Sequence, residues 1–307
     1  MKEKPQKNKW KTTIIILVIL GFVSLILSGI FSSYAEVEGN VAVISIKGII
    51  IGDGSSGIFG EGVASSTTII KLIEKADKNP NIKAVILEIN SPGGTPVASD
   101  EIARAVKKTN KTTVAWIRDY GASGAYWVAS SSEHIVANPL SLTGSIGVFS
   151  SYLEFSGLLE RYNITYERLV AGEYKDAGVP YRKLTEEERR IIIDELDKMH
   201  NYFIAEVASN RKLPNANVRK LANGRAYLGT DALNLGLIDE LGGKDEALRY
   251  IERKHNITAV PVEYKEKVGI LDVLGNVMSK QSFYVGQGIG SALYDKIEMN
   301  SYLRFRS

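Results

Sequence analysis

Apolar and polar positions form a repeating pattern between residues 41 and 264 of the chain. Short, continuous apolar runs alternate with segments whose apolar residues recur at helical spacing. Continuous runs are typical of strands that are buried on both faces of a sheet. A strand and a helix in turn predict an α/β domain with a mostly parallel sheet. The predicted strands are 41–50, 83–90, 112–119, 134–138, 164–171 and 259–264, and the predicted helices are 67–78, 97–108, 125–131 and 151–162.

A longer helix is predicted to begin after Thr185, because Glu188 three residues later completes a capping box. Its apolar stripe falls at helical spacing and predicts a face packed in the core. The stripe consists of Ile192, Leu196, Met199, Phe203 and Val207. Residues 224–243 then predict a strand, a short helix and a strand, followed by a helix over 244–254.

The N-terminal segment predicts a membrane anchor. No charged residue occurs from position 12 to 35, and residues 14–31 are almost wholly apolar, which is long enough for a helix to cross the hydrocarbon core. A cleaved signal peptide is the alternative, since Ser33-Tyr34-Ala35 has small residues at a suitable spacing. The length of the apolar run favours the anchor. The predicted organisation is a cytoplasmic basic tail (1–11), a transmembrane signal anchor (12–33), a linker (34–40), a folded domain (41–264) and a C-terminal tail (265–307).

Charge agrees with this orientation. The chain has 38 basic and 35 acidic residues, and five lysines with one glutamate place +4 in the first eleven positions. Lysines before an apolar span keep the N-terminus cytoplasmic, so the folded domain is expected outside. A basic excess confined to one short tail argues against nucleic-acid binding by the folded domain.

Two glycine-rich segments follow predicted strands and carry candidate chemistry. Gly-Ala-Ser-Gly-Ala at 121–125 places Ser123 in a tight turn at the start of a helix, although on its own such a serine is more often a helix cap. Asn-Ser-Pro-Gly-Gly at 90–94 exposes backbone N–H groups near Gly93 and Gly94, which suits an oxyanion hole. An ordinary strand-to-helix turn is the commoner explanation of a Pro-Gly-Gly sequence.

A nucleophilic serine needs a base, and the chain offers few. There is no cysteine, which excludes a cysteine nucleophile, disulfides and thiolate metal sites. No histidine has a position that suits a triad, and each is expected to be structural or on the surface: His134, His200 and His255. A lysine can act instead where burial disfavours its charge. Lys175 lies in a glycine-flanked loop, 172–178, but it could equally be solvated or paired with Glu173 and Asp176.

Four motifs taken together resemble the signal peptide peptidase A family over about residues 40–262. In order, they are Asn-Ser-Pro-Gly-Gly, Gly-Ala-Ser123-Gly-Ala-Tyr, Leu142-Thr-Gly-Ser145-Ile-Gly and Glu173-Tyr-Lys175-Asp. The resemblance implies a ClpP/crotonase-like fold and a serine protease that hydrolyses membrane-derived peptides, chiefly remnant signal peptides. It implies Ser123 as nucleophile and Lys175, 52 positions later, as general base.

The same resemblance implies further site residues and partners. Ser145 would orient the lysine, and Gly94 and Gly124 would supply oxyanion N–H groups. No cofactor or metal is expected, and the partners would be peptide substrates, the cell membrane and copies of the chain that share each site. Ala125 departs from the family, where a second glycine is usual. Two alternatives remain: an acyl-CoA enzyme of the crotonase superfamily, and an inactive membrane scaffold that binds peptides.

Overall fold

The structure of the protein is a computed structural model, which describes residues 9–34, 39–53 and 62–265. Helix α1 (Lys9–Tyr34) belongs to one compact unit, and residues 39–265 form another. Side chains of α1 are described at residue 10 and over 13–24, where all are exposed. Among the described residues, no helix has the length and apolarity needed to cross a membrane. The predicted anchor therefore stays a prediction, and the predicted C-terminal tail lies, after Lys265, outside the described residues.

The second unit is built on a parallel sheet. Its strands, within the described residues, are β1 (Val41–Lys47), β2 (Ile49–Ile51), β3 (Val63–Ser65), β4 (Ala84–Ser91), β5 (Thr112–Ala122), β6 (His134–Ala137), β7 (Leu142–Gly144), β8 (Ala226–Leu228), β9 (Glu240–Leu241) and β10 (Pro261–Glu263). Six of them lie side by side in the order β10-β1-β4-β5-β6-β9, and all five pairings are parallel. Strand β7 pairs in parallel with the end of β5, β8 runs antiparallel to β7, and β2 pairs with β3 in a separate small sheet.

Helices cover both faces of this sheet. They are α2 (Ser66–Lys78), α3 (Pro96–Lys108), α4 (Gly124–Ser130), α5 (Ser156–Arg161), α6 (Glu186–Arg211), α7 (Asn215–Leu221), α8 (Gly229–Asn234) and α9 (Lys244–His255). Alternate strand residues point to opposite faces. Ala42 and Ile44 therefore join the larger apolar cluster with α2, α3, α4 and α6, while Val41 and Val43 pack beneath α9. The prediction of an α/β domain with a mostly parallel sheet is confirmed.

A glycine divides the first predicted strand, 41–50, in two. Gly48 has φ +81°, and a Cβ on it would lie 1.9 Å from the carbonyl oxygen of Gly62. The backbone of Gly62 therefore approaches too closely for any side chain, and the chain turns here from β1 into β2. This turn brings β2 towards the carboxyl end of β4, where Ile50 forms a parallel bridge with Gly94.

Two predictions between β7 and α6 are wrong. The predicted strand 164–171 has no strand structure, and every residue in it is exposed. The predicted helix 151–162 is reduced to α5, Ser156–Arg161, which buries no side chain. Both segments contain β-branched or apolar residues, but no strand or core surface in the described part of the chain packs on them. We call residues 149–181 the lysine arm, because it carries Lys175.

Helix α6 begins and caps as predicted, but its stripe is only half in the core. Thr185 and Glu188 form the predicted capping box. Phe203 and Val207 are buried, whereas Met199, one turn earlier, is exposed. The apolar spacing predicted the helix correctly and overestimated how much of it the sheet covers.

Candidate active site

Ser123 occupies a strained turn between β5 and α4. Its φ of 52° and ψ of −125° are values that residues with a Cβ rarely adopt. The N–H of Ser123 donates to the carbonyl of Gly144 at 2.8 Å, and its carbonyl accepts the first helical hydrogen bond from Trp127. Its side chain makes no capping hydrogen bond. Ser123 is therefore the N-cap residue of α4 by position, but its hydroxyl does not serve as the cap and is left for another use.

The loop after β4 presses against this turn. Gly93 has φ +105°, and a Cβ on it would lie 2.8 Å from the amide nitrogen of Gly124 and 2.9 Å from the Cβ of Ser123. The hydroxyl of Ser91 holds this loop in place. It accepts a hydrogen bond from the Gly93 N–H at 3.1 Å and donates one to the Gly48 carbonyl at 2.6 Å. Two glycine-rich segments far apart in sequence thus meet at the serine.

Two backbone N–H groups lie close together beside Ser123. A Cβ on Gly124 would lie 3.3 Å from the amide nitrogen of Gly94. The N–H of Gly124 is in the first turn of α4, where amides have no partner within the helix. Gly94 cannot carry a side chain, because its Cβ would lie 1.9 Å from the carbonyl oxygen of Ile50. Paired N–H groups at a helix start can stabilise an oxyanion next to the serine hydroxyl.

A cavity of about 710 Å³ opens over these groups. Residues from three loops and the end of the small sheet line it: Ile49, Pro92, Gly93, Gly94, Thr95, Pro96, Ser123, Ser145, Gly147, Val148, Phe149 and Gly224. Its wall mixes apolar side chains with free backbone, as is common where a peptide or another small ligand binds. The structure therefore brings Ser123, Ser145 and Gly94 to one cavity, with Gly124 beside them.

Ser145 is held in place by a loop that the sequence did not identify as part of the site. Ser145 has φ 49°, its N–H donates to the Arg225 carbonyl at 3.0 Å, and its hydroxyl donates to the Gly224 carbonyl at 2.9 Å. Gly224, at φ +83°, lines the same cavity. The Asn-Gly pair at 223–224 is a turn signal that could have drawn attention to this loop.

Lys175 is not among the residues that line the cavity. It is exposed on the lysine arm, in a turn where its N–H donates to the Gly172 carbonyl at 3.2 Å. The predicted nucleophile and the predicted base are therefore not brought together within this one chain's cavity.

An ion-pair network lies directly beside Lys175. The Asp176 carboxylate accepts from the guanidinium groups of Arg168 and Arg182, at 2.8 to 3.0 Å. Arg182 also donates to Glu188 at 2.8 Å. The hydrogen bonds from Arg168 and then Arg182 hold the pKa of Asp176 well below its usual range, and those from Arg182 and the Thr185 N–H lower the pKa of Glu188 to about 2.

Two of the three histidines, His134 and His255, have structural partners, and the buried Nε2 of His200 makes no hydrogen bond to any described residue. His134 lies 3.2 Å from Glu240 and stacks on Tyr250, with ring centres 3.9 Å apart. His255 lies 2.9 Å from the hydroxyl of Thr112. None of the three histidines lines the cavity. No group of histidine and acidic side chains in the described part of the chain has a geometry that could hold a metal ion.

Comparisons with known proteins place the chain in a family. Residues 105–258 match peptidase family S49. The MJ0651 protein of Methanocaldococcus jannaschii is 32% identical over 259 residues, which cover 82% of this chain and 81% of the relative. "Serine protease SPPA, chloroplastic" of Arabidopsis thaliana is 31% identical over 75% of this chain, and "Protease 4" of Haemophilus influenzae is 32% identical over 72%. This chain covers only 34% and 36% of those two longer relatives.

One solved structure shows a weaker likeness. The 1510-N membrane-bound stomatin-specific protease is 18% identical and aligns over 69% of this chain and 84% of its own, with a TM-score of 0.42. That score is too low to support an argument about the fold. The family match and the relatives described above assign the family. The chain belongs to peptidase family S49 as a serine protease related to signal peptide peptidase A.

Proposed function

We propose that the chain is a membrane-anchored endopeptidase that hydrolyses membrane-derived peptides, chiefly remnant signal peptides, with a Ser-Lys dyad in a ClpP/crotonase-like fold. The observation that carries the proposal is the strained backbone of Ser123 at the start of α4, facing a cavity beside Gly94 and Gly124. Backbone strain of this kind persists where the surrounding structure holds it, and it clusters at active sites.

In the proposed reaction, the Ser123 hydroxyl attacks the carbonyl carbon of the scissile peptide bond and its proton passes to the neutral amine of Lys175. The N–H groups of Gly94 and Gly124 stabilise the oxyanion of the tetrahedral intermediate. Lys175 then returns the proton to the departing amine, which leaves an acyl-enzyme on Ser123. Water hydrolyses this ester by the same steps. Ser145, which lines the cavity, orients the lysine amine.

Lys175 reaches the serine of a neighbouring copy in this proposal. Two observations support a shared site. The lysine is absent from its own chain's cavity, and the lysine arm that carries it exposes apolar side chains that no part of the described chain covers. Exposed apolar side chains grouped on one segment are typical of a protein interface. The most exposed of these side chains are Leu153, Tyr162, Leu169 and Phe149, the last of which also lines the cavity.

The dyad is tested by peptide hydrolysis with the full-length protein in detergent. Ser123→Ala and Lys175→Ala are each expected to reduce kcat by about 10³-fold or more, since both belong to one catalytic unit. Lys183→Ala, which removes an exposed lysine just outside the arm, is the matched control and should keep normal turnover. A serine-directed phosphonate should label Ser123 alone. Near-normal turnover by Lys175→Ala would mean that another group is the base.

The proposed anchor is the uncharged, largely apolar segment 12–33 of the sequence, with the N-terminus cytoplasmic and the protease domain outside. Its apolar side chains from Ile14 to Leu20 are exposed, and lysines precede it. Protease added to cells without their wall should degrade the domain from about residue 40 onward. Protection of the whole domain, or a mature N-terminus at Glu36, would contradict the anchor.

A further inference from the structure

We propose that Asp176 is a positioning residue for the catalytic lysine: through its two arginine partners it fixes the turn that carries Lys175. The inference rests on the proposed Ser-Lys dyad, because a fixed turn has a catalytic effect only if Lys175 is the base.

Asp176 differs from the rest of the arm in its burial. It is the one buried residue among 149–181, with 7% of its surface exposed, while its neighbour Lys175 is exposed. A buried carboxylate is costly unless it is paired and hydrogen-bonded. Here the guanidinium of Arg168 binds both carboxylate oxygens at 2.8 Å, and that of Arg182 binds both at 2.9 and 3.0 Å. The charge is therefore fully compensated in a single geometry.

The two arginines close the turn from both sides in sequence. Arg168, before the turn, also donates to the carbonyl of Glu173 at 2.8 Å, so it holds the backbone just ahead of Lys175. Arg182, after the turn, also reaches the carbonyl of Asp176 at 3.3 Å. The backbone on each side of Lys175 is thus tied to the same carboxylate and its partners.

The network continues from the turn to the core of the protein. Arg182 donates to Glu188, which is 3% exposed and forms the capping box of α6 with Thr185. The second half of α6 is packed in the apolar core through Phe203 and Val207. The rest of the arm is exposed, so these charged contacts connect the turn that carries Lys175 to the rigid core and hold the turn in place. A misplacement of about 1 Å can lower a rate by about 10²-fold, so this rigidity matters to a base.

The test compares Asp176→Asn with the matched control Asp194→Asn in the full-length protein. Asp194 and Lys198 both lie on α6, where they form an exposed ion pair with each other. Asp176→Asn is expected to lower kcat by about 10- to 100-fold with KM within about twofold, because the cavity that binds the peptide is intact. Asp194→Asn should match the unmodified protein in both constants.

The double variant separates positioning from a general structural role. If Asp176 acts through Lys175, adding Asp176→Asn to Lys175→Ala should leave the residual rate unchanged, since the base is already absent. A further fall in the residual rate would mean that the network merely supports the fold, and would overturn the inference. Arg168→Gln, which leaves the Arg182 pairs in place, should give a smaller loss of kcat and covers the case in which Asp176→Asn does not assemble.

The inference and the dyad fail in different ways. If Lys175→Ala is inactive while Asp176→Asn and Arg168→Gln keep full kcat, the dyad stands and the positioning role is wrong. If Lys175→Ala keeps its activity, the dyad is wrong and the positioning role is wrong with it.

Discussion

At the scale of single residues, the candidate site depends on backbone positions that few side chains could occupy. Ser123 has a positive φ although it carries a Cβ. Gly93, which packs directly against Ser123, also has a positive φ. A positive φ costs a residue with a Cβ about 1–3 kcal/mol and persists only where the surroundings determine it, whereas glycine adopts it freely. The close packing of Gly93 therefore helps to hold Ser123 in its strained conformation, and each of these two residues gives a prediction.

Gly93→Ala should damage the site. The new methyl group would have to lie within 3 Å of the Ser123 Cβ and of backbone atoms on either side, at a φ that alanine disfavours. We expect kcat/KM to fall by about 10²-fold as the serine is displaced. Gly52→Ala is the control, since a methyl group on Gly52 would have no heavy atom within 4 Å. Peptide hydrolysis by both variants is the measurement, and equal activity would show that the loop yields easily.

Ser123→Gly should stabilise the protein while it removes activity. Glycine adopts φ 52°, ψ −125° without steric cost, whereas alanine keeps the strain of the serine. After the greater entropy of glycine in the unfolded chain is subtracted, the net gain is about 1 kcal/mol. The thermal midpoint should rank Ser123→Gly above Ser123→Ala. If the two inactive variants melt together, the turn holds no strain that matters to stability.

At the scale of elements, the sequence predicted the strands that are buried in the sheet correctly, but it assigned regular structure wrongly to segments that the sheet does not bury. Strand β4 was predicted to within one residue at each end, and β5 was predicted from its first residue but three residues short, because the continuous apolar runs of both strands are buried on both faces. The segment 164–171 has a similar composition and is fully exposed. An apolar pattern indicates a surface that avoids water but does not say what packs against it. The motifs around Ser123 follow buried strands, so the sequence predicted correctly that Gly94, Ser123 and Ser145 lie together. Lys175 lies on a segment that does not pack on the sheet, so its position relative to the cavity could not be predicted.

The capping box of α6 gives a prediction about pH. The pKa of Glu188 is about 2 in the folded protein, against an ordinary value of 4.5, so its contribution to stability is complete above about pH 4.5 and is lost as the pH falls towards 2. The thermal midpoint of the unmodified protein should therefore exceed that of Glu188→Gln at pH 6, and the two should converge on acidification. Glu187→Gln, which removes an exposed carboxylate from the same turn, should show no such convergence. A constant difference for Glu188→Gln would contradict the linkage.

At the scale of the whole molecule, the described part of one chain supplies every group of the candidate site except a base at the serine. In the proposed shared site the lysine arm of a neighbouring copy supplies the base, since the arm carries an exposed Lys175 and exposed apolar side chains. A contact in which the arm of one copy covers the cavity of the next uses two different surfaces. Repeated contacts of this head-to-tail type close into a ring when the rotation permits. The longer relatives, of which this chain covers about a third, are long enough to contain both surfaces more than once.

A shared site predicts that two inactive variants restore each other. Ser123→Ala and Lys175→Ala subunits are mixed under conditions where copies exchange, and exchange is verified by energy transfer between labelled chains. Random mixing in equal amounts places an intact serine opposite an intact lysine at about a quarter of the interfaces of a closed heterologous ring. Peptide hydrolysis should therefore recover to about a quarter of the normal rate. Neither variant should recover when it is mixed with the double variant, because no interface then contains both groups. If exchange is complete and activity stays absent at every ratio, serine and lysine must come from the same chain.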